Sequence, residues 1–201
     1  MTVTDDMMIT LDRAKLHAGL ASRPDTSLSL GISVASVLFQ KHCNRLFFSQ
    51  AYTATMDGDG SQTLILPQYP VTALTSVTLI ASDGTETPYD NTYFRFKTNG
   101  IVRWAPATAY MFPYGFQNVQ VQYTAGFATL PAPVEEAMCN MIVFLLDMQT
   151  VDTHLQSERL GEYAATYMTK SSGESDGWPD IVTTLLAKYR LRVVVGGLRG
   201  R

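Results

Sequence analysis

The chain has 201 residues, 46% of them apolar and 16% charged, with a formal net charge of -3 at pH 7. That balance excludes a disordered chain, and no apolar run approaches the roughly 18 residues needed to cross a bilayer. The acidic surplus excludes general attraction to nucleic acid, and the acidic start MTVTDDMMIT is unlike a secretory leader.

The first expected element is a short helix in LDRAKLHAGL, with Thr10 as N-cap and Gly19 as stop. A second helix is expected from Asp25 or Thr26 to about Arg45. Leu28, Ile32, Ala35, Phe39 and Leu46 form one apolar face, and Leu30, Val34, Val37 and Leu38 form another. A helix apolar on two sides is either central to its domain or shared with a neighbouring subunit.

From about Leu46 to Phe127 the pattern changes to strands and turns. FFSQAYTATM and SQTLILP flank DGDG, which reads as a hairpin turn. SVTLIA and TPYDNTYFRF flank SDGT, KTNG precedes IVRWA, and NVQVQYTA alternates with a period of two. About seven short antiparallel strands are expected. DGDG lacks the spaced oxygen ligands and closing glutamate of a calcium loop, so no metal site is assigned to it.

Helix returns at Leu130-Pro131-Ala132-Pro133, where a missing N–H costs nothing. Val134, Met138, Met141, Leu145 and Met148 form a heptad-like seam. SERLGEYAATYMTKSSGESDGWP reads as a connector whose part around Tyr163 is either helix or strand. A last helix starts at Pro179-Asp180, with Ile181, Leu185, Lys188 and Tyr189 on one face. The fold class is therefore α+β: a helical frame from the N- and C-terminal segments, a central antiparallel β insertion and an extended C-terminal arm. The divisions of this single domain are 1–45 helical, 46–127 β, 128–192 helical and 193–201 tail.

Chemistry is sparse. His17, His42 and His154 lie far apart, and no ligand partner sits four residues on. Phosphate-binding glycine loops, nucleophile elbows and metal-spaced cysteine pairs are all missing from the sequence. Adjacent Glu135 and Glu136 point about 100° apart on a helix and cannot form a tight carboxylate pair. Cys43 and Cys139 lie in apolar stretches and are expected as reduced core residues, in keeping with the cytoplasm. No catalytic residue, metal or cofactor is assigned, and the chain is expected not to be an enzyme.

Aromatics crowd the β segment, but Arg95, Lys97 and Arg103 are too sparse for a base-stacking platform with a phosphate track. The loop PATAYMFPYGF is hard to keep in water. Either it folds back, or Tyr110, Met111, Phe112, Tyr114 and Phe116 touch a neighbouring subunit.

Charge is segregated along the chain. Residues 131–181 carry nine acids and two bases, a net -7, whereas residues 182–201 carry five bases and no acid. The ending KYRLRVVVGGLRGR joins an apolar run to four arginines, and by composition it is either an arm that reaches for another molecule or a frayed, solubilising tail.

The segments ITLDRAKLHAGL, HCNRLF, LILPQYPVTALTSVTLI, VQVQYTAGFATLPAPVEEAMCNMIVFLL, SERLGEYAATY and IVTTLLAKYRLRVV, in that order, resemble the head–tail connector proteins of long-tailed double-stranded DNA phages. These are also called adaptor or head-completion proteins. The strand ending Tyr123-Thr124-Ala125-Gly126 and running through prolines into an apolar helix carries most of the resemblance, followed by Ser157 to Tyr163. LSLGISVASV departs from the more acidic, more regularly amphipathic start of that helix in the family.

The resemblance implies a structural virion protein of the neck, made in the host cytoplasm. It implies a homo-oligomeric ring, commonly of twelve subunits, beneath the portal protein, which extends the DNA channel and carries the stopper or tail-completion protein. The C-terminal residues Arg190, Arg192, Val193, Val194, Val195, Leu198, Arg199 and Arg201 would dock on the portal. Glu158 and Glu162 would help keep a channel negative, so that double-stranded DNA slides without sticking. The competing readings are a stopper or tail-completion protein lower in the neck, and a small-molecule-binding domain.

Overall fold

The computed structural model describes residues 7–105, 110–148 and 177–191, and the backbone of 157–160 and 163–166. The described residues fall into two compact units. One lies within Met1–Cys43 and Leu130–Arg190, the other within Asn44–Thr129 and Leu191–Arg201.

The first unit is built mainly of helices. Thr10 caps α1 (Leu11–Lys15) by accepting the Arg13 N–H at 3.3 Å. The helix stops at Lys15, short of Gly19, and the chain continues in tight turns. Glycine at 19 answers a close approach rather than a cap, because a Cβ there would lie 2.9 Å from Val143 Cγ2.

Helix α2 (Asp25–Cys43) buries Leu28, Ile32, Ala35, Phe39 and Cys43 completely, at steps of four or three. It ends where Asn44 turns into the left-handed region, φ 52°. Its main partner is α3 (Ala132–Met148), which buries Val134, Ala137, Met138, Cys139, Met141, Ile142 and Leu146. The expected seam holds at Val134, Met138 and Met141, but Leu146 rather than Leu145 is buried, and Met148 is exposed. Ion pairs from Arg13 to Glu135 and from Arg23 to Asp147 tie the N-terminal segment to α3.

Helix α4 (Asp180–Leu186) also packs on α3, through Val182 and Leu186. The expected face containing Ile181 is the outer one. Ile181 is 55% exposed, and the helix tightens at Ala187–Tyr189 to three residues per turn, which breaks the four-residue spacing. Trp178, just before α4, stacks against Phe39 and His42 at 5.5 and 4.6 Å between centroids.

Among its described residues the second unit holds seven antiparallel strands: β1 (Gln50–Gly58), β2 (Thr63–Ile65), β3 (Val71–Ile80), β4 (Glu86–Asp90), β5 (Phe94–Phe96), β6 (Ile101–Trp104) and β7 (Gly115–Ala125). They form a four-stranded sheet in the order β1-β7-β3-β4 and a three-stranded sheet in the order β2-β6-β5. Val71, Leu74 and Val77 of β3 and Val119, Val121 and Tyr123 of β7 share one core with Leu64, Phe94, Val102 and Trp104 of the smaller sheet.

The hairpin expected across SDGT forms between β3 and β4, and β5 pairs with β6 across KTNG, but TPYDNTYFRF is two strands in different sheets, divided by a turn at Asn91–Tyr93. The hairpin expected across DGDG does not form, since β1 pairs with β7 and β2 with β6. The reason is length: nine residues of β1 satisfy far more backbone groups against the eleven of β7 than against the three of β2. The α+β frame with a central antiparallel insertion is therefore as expected, while the C-terminal arm from Arg192 lies outside the described residues.

Ser157–Leu160 and Tyr163–Thr166 pair as the β8–β9 hairpin, which decides the segment around Tyr163 as strand.

Candidate assembly surfaces

The aromatic loop ends in a tip built where β1 and β7 part. Their register is regular from Gln50↔Ala125 to Met56↔Val119, and then jumps to Gly58↔Gly115. One residue, Asp57, thus faces three, Phe116, Gln117 and Asn118, which is a β-bulge.

Side chains pin the bulge in place. Asp57 Oδ1 accepts the Gln117 N–H at 2.7 Å, Asn118 Oδ1 accepts the Gly58 N–H at 2.8 Å, and Asn118 Nδ2 donates to the Pro113 carbonyl at 2.8 Å. Gln117 takes φ 47°, and a Cβ at Gly58 would collide with the Pro113 carbonyl oxygen. A segment this constrained presents its side chains in a fixed direction.

What it presents is aromatic. Tyr114 is 88% and Phe116 80% exposed, with Tyr110 and Met111 also exposed. Phe112 is different: it is fully buried, between Phe94 at 6.2 Å and Trp104 at 5.7 Å, and donates its N–H to Ser61 at 2.8 Å. Phe112 therefore anchors the loop to its own core, as does the Tyr110 ring, 5.2 Å from Trp104, while Tyr114 and Phe116 face outward.

Asp57 and Asp59 flank the tip, and no lysine or arginine occurs in 50–66 or 106–122. Hydrogen bonding from the Ser61 hydroxyl, and then from its N–H, holds the Asp59 carboxyl below its usual pKa.

The second surface is the outer face of α2. Leu30, Val34 and Val37 are 59, 41 and 54% exposed, one above the other at steps of four and three. From Thr26 to Gln40 the helix carries no charged residue, and exposed Lys41 closes it. The face apolar by sequence is thus apolar in fact, and it lies outside the unit's own core.

The acids of residues 131–181 do not all point to one use. Glu135 and Asp147 are held by Arg13 and Arg23, and the Glu136 Oε1 lies 3.6 Å from the His17 Nε2. Glu158 lies on β8 opposite Ala165. Glu162 and the residues expected to dock, Arg192, Val193, Val194, Val195, Leu198, Arg199 and Arg201, lie outside the described residues, and Arg190, expected with them, is exposed after α4.

A cleft of about 240 Å³ in the first unit is lined by Arg13, His17, Glu135, Glu136 and Cys139. Burial, and then Glu136 and Glu135, push the Cys139 thiol up to about 11, so it stays protonated and is a poor nucleophile at neutral pH. Among the described residues, no group of three or more His, Cys, Asp or Glu side chains is placed to hold a metal ion.

Sequence reasoning missed Arg45, because it read that residue as the end of a helix. Its guanidinium lies over the rings of Phe47, Tyr69 and Phe127, at 5.4, 5.5 and 5.0 Å, and donates to the Tyr69 carbonyl. An arginine beside phenylalanine in RLFF was the available signal.

Similar folds occur in gene transfer agent (GTA) particles. A chain from the neck of an empty GTA particle, solved with C6 symmetry, is 20% identical, with 98% of this chain and 96% of that chain covered at a TM-score of 0.58. A chain from the virion of a native GTA particle is 20% identical, with 94% and 93% covered at 0.57. One from the neck of a native GTA particle, solved with C12 symmetry, is 20% identical, with 96% and 97% covered at 0.54. No curated protein matches the sequence. The family model described as "HCP: Head completion protein" matches residues 7–192, in agreement with the resemblance carried by the ordered segments, and the chain belongs to the head completion protein family.

Proposed function

We propose that this structural head-completion protein assembles as a ring, of twelve subunits, beneath the portal protein of a filled head. There it extends the DNA channel and offers a platform to the stopper or tail-completion protein, so that its place is the neck of the virion. The observation that carries the reading is the family match over nearly the whole chain. It is supported by the fold shared with neck chains of GTA particles, one of them solved with C12 symmetry.

In this reading the C-terminal arm, from Arg190 to Arg201, docks on the portal. Val193, Val194, Val195 and Leu198 each contribute about 1.5–3 kcal/mol when fully buried in a partner. Ordering a Gly-Gly arm costs about 1–2 kcal/mol per residue. One arm binds weakly, and a ring of arms binds together through effective concentration. The β8–β9 hairpin, with Glu158 and the adjoining Glu162, lines the channel and keeps it negative.

The test uses DNA-filled, tailless particles that lack this chain. Full-length protein and a form ending at Arg192 are compared by co-sedimentation, with particle images to locate added density. A ring at the portal vertex with the full-length chain alone supports both the connector role and the docking arm. Equal binding of the two forms overturns the arm and keeps the connector role. Failure of both overturns the connector role.

A further inference from the structure

We propose that the aromatic tip of one subunit seats on the outer face of α2 of a second copy of this chain. Tyr114 and Phe116 then lie across Leu30, Val34 and Val37. The inference rests on the ring reading above, and names the two faces that close the ring.

A cyclic ring of more than two subunits needs two different faces on each subunit, each meeting the other on a neighbour. The chain carries two different faces of this kind, one in each unit. Both are ill suited to water. One offers the exposed rings of Phe116, on a stapled bulge, and Tyr114, two residues before it, the other a three-residue aliphatic stripe on a helix without charge from Thr26 to Gln40.

Their side chains are complementary in kind. Aromatic anchors are among the residues that dominate protein interfaces, and the exposed aliphatic side chains of Leu30, Val34 and Val37 give them apolar surface to cover. Tyr114 and Phe116 can together bury about 300–500 Å², about half of what each partner gives in a standard interface.

Charge selects the pairing. Two tips brought together would set Asp57 and Asp59 against the same residues of the neighbour. A tip on α2 meets a helix that bears no acid from Thr26 to Gln40, whose exposed Lys41 follows Val37 by four residues and whose Asp25, at the other end, is paired with Lys15. Like charges suppress the first arrangement and opposite charges favour the second.

Cross-linking tests it on the full chain. Val34→Cys and Phe116→Cys proteins are prepared singly, mixed in equal amounts, assembled on particles lacking this chain and treated with a short bis-maleimide. Native Cys43 and Cys139 are both buried. Cross-linked dimer several-fold above that from either protein alone supports the interface. Imaged rings without such dimers overturn it and leave the ring standing. Wild-type chain that forms no ring overturns the ring itself, so the two failures are distinguishable.

A second pair guards against misfolding of the cysteine variants. Lys41→Glu lowers ring yield several-fold, and adding Asp59→Lys in the same chain restores it. No loss on Lys41→Glu, or no restoration, overturns the charge pairing and with it the proposed seat.

Discussion

Asp57 accepts the main-chain N–H of Gln117 at 2.7 Å, across the step where two strands of the larger sheet lose register. That bond and the Asn118 side chain hold a bulge whose middle residue sits at φ 47°. Removing both holders, Asp57→Ala with Asn118→Ala, should lower the unfolding free energy by about 1–3 kcal/mol in urea titrations. Gln117→Gly should raise it by up to about 1 kcal/mol, because glycine takes a left-handed conformation without strain. A destabilising Gln117→Gly would show that the bulge is not strained.

The two sides of α2 should respond differently to substitution. Ile32 is fully buried, and Ile32→Ala should cost about 2–5 kcal/mol of stability. Val37 is exposed, and Val37→Ser should change subunit stability by no more than about 0.5 kcal/mol while reducing ring assembly on heads. Equal stability losses at the two positions would mean that Val37 is covered within its own subunit.

Alkaline pH should unfold the protein by way of two named groups. Burial pushes the Tyr123 hydroxyl up to about 12 and the Cys139 thiol up to about 11, against ordinary values of 10.0 and 9.0. Both are raised in the folded state, so the folded chain holds its protons more tightly than the unfolded one. The stability they contribute is full below the unfolded values and is lost as pH rises through the folded ones. Denaturant midpoints should therefore fall between pH 9.0 and about 11 through Cys139, and between pH 10.0 and about 12 through Tyr123. Tyr123→Phe should flatten the upper part of that curve. An unchanged upper slope would remove Tyr123 as its cause.

Arg45 should prove irreplaceable by lysine. Its planar guanidinium serves three rings and a carbonyl at once, and an ammonium cannot do so. Arg45→Lys should destabilise the β-rich unit by about 1–3 kcal/mol. Near-ultraviolet circular dichroism would follow the loss. A lysine variant as stable as the parent would show that charge alone suffices.

The helices were legible because their signals are local. Leu28, Ile32, Ala35 and Phe39 repeat at helical spacing, and Thr10 and Pro179 mark starts that geometry then uses. Strand identities were legible for the same reason, as in the alternating Val119, Val121 and Tyr123. Strand partners were not, because pairing depends on which distant edge has the length to satisfy it. DGDG looks like a hairpin turn, yet the strand before it runs back along a partner some sixty residues on.

The same division holds for the assembly surfaces. By itself the sequence determined that 106–116 and the second side of α2 were too apolar for free solvent, since composition reports how much apolar surface must be covered. Only the tertiary structure decided that Phe112 is covered by its own core while Tyr114 and Phe116 are held outward, and that Leu30, Val34 and Val37 stay uncovered when Ile32 does not. Those outcomes depend on a bulge pinned by residues from two strands and on which side of a helix its neighbour packs, and neither is encoded within one stretch of chain.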